Sequence, residues 1–102
     1  MLRRLINNDI SLVGKIVDKF WSSMFGRRFL RYVIVEHHGE KITAVLIVAS
    51  EHFDKENIGS ICSLDPDSEK AELVDTDLAW RQNAAELEET AKKYPQIKKV
   101  IN

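Results

Sequence analysis

The sequence predicts an α+β domain in which four antiparallel strands form a meander sheet with an N-terminal and a C-terminal helix, in the order α-β-β-β-β-α. Three observations lead to this fold class. An amphipathic segment near the start has the period of a helix, the middle of the chain is rich in β-branched and aromatic residues, and a second helical pattern closes the chain. The 102 residues are predicted to form a single domain, residues 1–102.

The first predicted helix covers residues 10–25. At 100° per residue, nine residues share one side and the polar residues share the other. Asn7 or Asn8 can cap the start, and Gly26 stands where a helix needs a left-handed residue to end. The apolar side consists of Ile10, Val13, Gly14, Ile16, Val17, Phe20, Trp21, Met24 and Phe25.

The same segment supports a second interpretation, in which residues 10–17 form a strand. This stretch is β-rich, and Gly14 would permit a bend within a strand. The chain would then have five strands, at residues 10–17, 29–37, 42–49, 58–64 and 71–74, with a helical turn after the third. In strand order this layout resembles the OB-fold, so the alternative fold is an OB-like five-stranded barrel plus a C-terminal helix. The resemblance implies binding of single-stranded nucleic acid.

Residues 28–38 and 41–50 are predicted to form a hairpin around Gly39. Both strands are apolar on both faces, which indicates a central position in the sheet with a covering layer on each side. The polar residues 51–57 are predicted to be a loop or a single helical turn.

A second hairpin is predicted from residues 58–64 and 71–74, which would form the weaker edge of the sheet. The residues Asp65-Pro66-Asp67-Ser68 join the two segments, with proline at the second turn position and aspartate at the first.

The second helix is predicted over residues 77–94, capped by Asp75, Thr76 or Asp77 and ended by Pro95. Five residues spaced alternately four and three apart form a narrow apolar stripe, which is typical of a helix–helix seam. The sequence therefore predicts self-association, with a dimer favoured, through an interface of Trp80, Ala84, Leu87, Ala91 and Tyr94.

No residue pattern indicates catalysis, a metal or a cofactor. His37 and His38 lie at a hairpin tip and His52 beyond its far end, roughly 30 Å away at ~3.3 Å per residue, so they are interpreted as solvated residues. The acids Asp65, Asp67 and Glu69 fit a turn better than a calcium loop, because Lys70 stands where that loop needs glycine. The single cysteine, Cys62, is interpreted as a small buried residue.

Three arginines provide the best functional indication in the chain. Arg27, Arg28 and Arg31 are interleaved with aromatic residues, as in proteins that bind single-stranded nucleic acid. If residues 10–25 are helical, two of these aromatics point into the core and a solvated basic rim is the better interpretation. The aromatic residues concerned are Trp21, Phe25, Phe29 and Tyr32.

Charge, hydropathy and cysteine content bear on nucleic-acid binding, membrane insertion and cellular compartment. The net charge of −1 divides into eight Lys and Arg against four Asp and Glu in residues 1–41, and seven against twelve in residues 42–102. The acidity of the second part counts against nucleic-acid binding. No apolar run has the ~18 residues of a membrane span, and one cysteine fits a reducing, cytoplasmic setting. The sequence therefore predicts a cytoplasmic, non-enzymatic interaction module that self-associates, with nucleic-acid binding as the alternative.

Overall fold

The computed structural model describes residues 2–7, 11–24 and 26–100. It is an α+β fold with a five-stranded antiparallel sheet. The short helix α1 (Arg3–Ile6) precedes β1 (Ile16–Ser23), β2 (Gly26–His38) and β3 (Lys41–Ala49). Helix α2 (His52–Lys55), β4 (Ile61–Leu64) and β5 (Ala71–Val74) follow, and α3 (Thr76–Gln82), α4 (Ala84–Lys93) and the 3-10 helix Pro95–Val100 complete the chain.

The strands lie in the order β4-β3-β2-β1-β5, and every neighbouring pair is antiparallel. Strands β1 to β4 form a meander, and β5 returns to the other side of the sheet to pair with β1. Among the described strands, β4 and β5 each have one neighbour, so the sheet is open and not a closed barrel.

The prediction of a helix over residues 10–25 is wrong. Residues 16–23 form β1, and its pairing with β2 places Ile16 opposite Val33 and Val17 opposite Tyr32. The alternation of a strand is hard to recognise in this segment because of Asp18. A charged residue is expected at the surface, but Asp18 is buried against Arg31. Ile10, Phe25 and the proposed cap Asn8 lie outside the described residues.

The alternative interpretation, a strand at residues 10–17, predicted that a fifth strand exists but placed it at the wrong residues. Only Ile16 and Val17 belong to both the predicted and the observed strand. Gly14 has a positive φ of 86° and lies in the turn before β1, where its N–H donates to the carbonyl of Ile34.

The central hairpin is confirmed as the pair β2 and β3, joined at Gly39, and the helical turn after it is confirmed as α2. Strands β4 and β5 are also confirmed as segments, but they do not form a hairpin. Instead β4 pairs with β3 and β5 pairs with β1. The connecting turn is held by α1, since the N–H groups of Leu2 and Arg3 both donate to the carbonyl of Pro66.

The C-terminal helix is divided at Asn83 into α3 and α4, where a single continuous helix was expected. Asp75 caps α3 as predicted, by accepting a hydrogen bond from the N–H of Leu78. At the break, the side-chain oxygen of Asn83 accepts a hydrogen bond of 2.7 Å from Arg31 on the sheet.

Both faces of the sheet are covered by this chain. On one face α1 closes the α1-side core, and on the other α3, α4 and the 3-10 helix close the α4-side core. The α1-side core contains Leu2, Leu12, Val17, Leu30, Tyr32, Ile34, Ile42, Ala44, Leu46, Ala49, Leu64 and Ala71. The α4-side core contains Ile16, Val33, Val35, Val45, Ile47, Ala79, Trp80, Leu87, Ala91 and Ile97.

A candidate aromatic and cationic surface on the β1–β2 hairpin

The β1–β2 hairpin extends beyond its neighbours. Strand β1 pairs with β5 only as far as Lys19, and β2 pairs with β3 only from Leu30 onward. The end of the hairpin, residues 20–24 and 26–29, therefore continues past the paired parts of β5 and β3, and we call it the hairpin arm. At its base, Phe20 still donates to the carbonyl of Lys70, and Phe29 still bonds to Ser50. Within it, Phe20 lies opposite Phe29 and Trp21 lies opposite Arg28. Because side chains alternate across a strand, these two pairs lie on opposite faces of the arm.

The first face carries a stack of cations and rings. The guanidinium carbon of Arg28 lies 4.4 Å from the ring centroid of Trp21 and 4.9 Å from that of Phe53 on α2. The ammonium group of Lys70 lies 5.7 Å from the Trp21 centroid. These distances are within the range of favourable cation–π contacts. The Phe53 ring is 60% exposed, so the stack ends at solvent.

An ion pair fixes Arg28 in this stack. Its Nε donates to Asp54 Oδ2 at 2.6 Å, and its Nη2 donates to Asp54 Oδ1. Hydrogen bonds from Arg28 hold the pKa of Asp54 below its usual value, although burial of the carboxylate acts in the opposite direction. Asp54 is 5% exposed and lies beside Phe53 in α2, so the pair also ties α2 to the arm.

The second face carries the Phe20 and Phe29 rings, whose centroids are 4.9 Å apart in a tilted arrangement. Phe20 is 45% exposed. Arg31 lies 5.6 Å from the Phe29 ring and donates through Nε and Nη2 to both oxygens of the buried Asp18. The hydrogen bond to Asp18 raises the pKa of Arg31, which is charged at every relevant pH in any case.

The structure brings the three predicted arginines to this region but gives them different roles. Arg28 and Arg31 are held by buried carboxylates, whereas Arg27 is exposed at the arm. Of the predicted aromatics, Trp21 and Phe29 lie on the arm, Tyr32 is buried in the α1-side core, and Phe25 lies outside the described residues. Burial raises the pKa of Tyr32 to about 12.

Sequence reasoning missed Phe20, Phe53 and Lys70. A strand period over residues 16–23 would have placed Phe20 opposite Phe29 and identified the second ring pair. Phe53 and Lys70 come from elsewhere in the chain, and the local sequence contains nothing that places them beside Trp21.

The predicted helix seam lies largely against this chain's own sheet. Leu87 is fully buried, Ala91 and Trp80 are nearly so, and all three belong to the α4-side core. Tyr94 packs against the same core, while Ala84 is exposed. The stripe is thus occupied within one chain, and the break at Asn83 allows α3 and α4 to follow the sheet separately.

The histidine, acidic and cysteine residues that the sequence offered as candidate ligands do not form a metal site in the described part of the chain. Among residues 2–7, 11–24 and 26–100, no three His, Cys, Asp or Glu side chains are grouped so that they could hold a metal ion. Asp67 is paired with Arg3, and the Asp65 carboxylate accepts from the Asp67 N–H within the turn. Cys62 is half-buried, and burial raises the pKa of its thiol.

A second surface feature lies at the β4 side of the molecule. A groove of about 380 Å³ lies beside the contact between α4 and β3 and is lined by Val45, Ile47, Ile58, Thr90 and Tyr94 among others. Its lining is mostly apolar, and Ile58 is 45% exposed.

The fold and the arm define a small α+β protein with an open five-stranded sheet and an aromatic and cationic hairpin. Neither a protein family, nor a curated protein sequence, nor a solved structure matches this chain. In the described part of the chain, no helix is long and apolar enough to cross a membrane.

Proposed function

We propose that this chain is a non-enzymatic binding module that recognises single-stranded nucleic acid through the hairpin arm. The observation that carries the proposal is a pair of exposed rings beside cations: Phe20 on one face of the arm, and Phe53 of α2 against Arg28 on the other face. Exposed rings beside cations are the means by which proteins bind unpaired bases without reading their sequence.

The extended conformation of residues 16–23 supports this choice. The strand distributes the aromatic residues over both faces of the hairpin, with Trp21 packed against the edge of the α1-side core and Phe20 exposed on the other face. On the Trp21 side, a flexible strand of nucleic acid would reach the exposed ring of Phe53.

The charges near the arm are suited to phosphate. Residues 20–29 contain two arginines and no acidic residue, in a chain whose net charge is −1. Because Arg28 is engaged by Asp54, its main role is to order the Trp21 and Phe53 rings, and contacts with phosphate fall to Arg27 and Lys70. So few free cations support only weak, salt-sensitive binding, with a dissociation constant on the order of micromolar or above.

The test is fluorescence anisotropy of a labelled oligothymidine at low salt with wild-type protein, three test variants and one control variant. Loss of one stacked base costs about 1–3 kcal/mol, so Phe53→Ala and Phe20→Ala are expected to weaken binding roughly 5- to 150-fold. Arg27→Ala should reduce the slope of log K against log salt by about 1. The matched control is Leu78→Ala, an exposed apolar residue of α3, which should bind like wild type.

Heparin distinguishes stacking from charge alone, since it carries anions but no bases. The proposal requires that Phe53→Ala weakens binding to the oligonucleotide and leaves binding to heparin unchanged. Absence of oligonucleotide binding at low salt, or equal loss for Leu78→Ala, would overturn the proposal.

A further inference from the structure

We infer that the outer edge of β4 docks a second copy of this chain as an antiparallel strand. This goes beyond the proposed binding of nucleic acid, because the edge lies at the opposite side of the sheet from β5 and involves none of the arm residues. A strand at a sheet edge presents a row of N–H and C=O groups that can pair with another strand.

The backbone groups that face outward on β4 follow from its pairing with β3. The N–H of Leu46 donates to the carbonyl of Ser60, and Ala44 lies opposite Cys62. Since antiparallel strands alternate between bonded and non-bonded pairs, the N–H and C=O groups of Cys62 and Leu64 point toward β3, as does the carbonyl of Ser60. Those of Ile61 and Ser63 point away from it and have no strand neighbour in the described part of the chain.

Charge distinguishes the two edges of the sheet. Residues 57–64 contain no charged side chain and are followed by Asp65, whereas β5 itself contains Glu72 and is flanked by Lys70 and Asp75. Natural sheets protect their edges against pairing by means of very short edge strands, charged residues, bulges or a covering element. Both edge strands have only four residues, so the difference between them is the charge within β5.

Exposed apolar side chains lie at the same edge. Ile61 is 53% exposed and lies opposite Val45, so it projects on the α4 side, where Ile58 lines the groove next to α4. Both isoleucines would lose contact with water if a strand were added along β4.

A second copy is the occupant that suits this edge. Two β4 strands related by a two-fold axis run antiparallel, place uncharged residues against uncharged residues and close as a dimer. A ladder that used β5 would bring the carboxylate of Glu72 into the junction between the copies. The contact between two four-residue strands is small, so the dimer should be weak and concentration-dependent.

The experiment is sedimentation velocity of the full chain over a concentration series, from low micromolar to about 1 mM, where weak interfaces are detected. We expect the wild type to change from monomer to dimer. Ile61→Lys should remain monomeric because it places a charge at the junction, whereas Leu73→Lys, the matched change on β5, should dimerise like wild type. Both side chains are partly exposed, and circular dichroism checks that each variant is folded.

Hydrogen exchange of the wild type gives an independent measurement. The N–H groups of Ile61 and Ser63 should become protected as the concentration rises, while that of Leu73 should not. A wild type that is monomeric throughout the series, or a dimer that Leu73→Lys abolishes and Ile61→Lys does not, would overturn the inference.

Discussion

Asp54 accepts two hydrogen bonds from Arg28 and thereby joins α2 to the hairpin arm across 26 residues of sequence. Asp54 is buried, while Arg28 keeps part of its side chain at the surface between the rings of Trp21 and Phe53. The ion pair orders a surface that is otherwise made of aromatic side chains on separate elements.

Asp54→Asn should lower the free energy of unfolding by about 2 kcal/mol at neutral pH, because it removes charge-assisted hydrogen bonds from a buried carboxylate. The pKa of Asp54 is lower in the folded state than the ~3.9 of an unfolded aspartate. The stabilisation is therefore complete above pH ~4 and is lost as the pH falls through the folded-state pKa. Urea unfolding of both proteins should show a difference at pH 7 that shrinks in the acid range. A difference independent of pH would contradict this role for the carboxylate.

Leu87→Glu should unfold the monomer, or lower its free energy of unfolding by at least about 4 kcal/mol. Leu87 has no exposed surface and packs in the α4-side core, where a carboxylate would have no partner. Ala84→Glu on the same helix is the control, because Ala84 is exposed and substitutions at exposed positions usually change stability by less than ~0.5 kcal/mol. Thermal unfolding measures both. A folded Leu87→Glu monomer of wild-type stability would mean that Leu87 faces a partner, as the stripe in the sequence suggested.

Gly39→Ala should destabilise the chain by about 1 kcal/mol through backbone conformation alone. Gly39 has a φ of 59° in the turn between β2 and β3, and an added Cβ would meet no atom within 4 Å. Gly39→Asn should cost less, because asparagine adopts the left-handed region more readily than alanine. Equal stability of all three proteins in chemical unfolding would show that the turn changes its conformation to accommodate the side chain.

The sequence alone determined the central hairpin and the helical turn that follows it. Residues 28–50 could be assigned to two central strands because they contain more apolar residues than a strand with one covered face needs. A glycine at the turn between them also supported the assignment. A helix cap at Asp75 could also be predicted from the sequence, because a capping side chain bonds to its own helix within three residues. These features depend on contacts close in sequence, and local composition is sufficient to predict them.

Tertiary structure decided the conformation of residues 16–23, the pairing of β4 and β5, and the break at Asn83. Each of these features involves contacts between residues distant in sequence. Arg31 is the clearest example, because it neutralises the buried Asp18 in β1 and hydrogen-bonds Asn83 between α3 and α4. The hairpin arm was only half predictable for the same reason. Its arginines and Trp21 are neighbours in sequence, whereas Phe53 and Lys70 reach the stack only because the sheet brings β3 and β5 to either side of the β1–β2 hairpin.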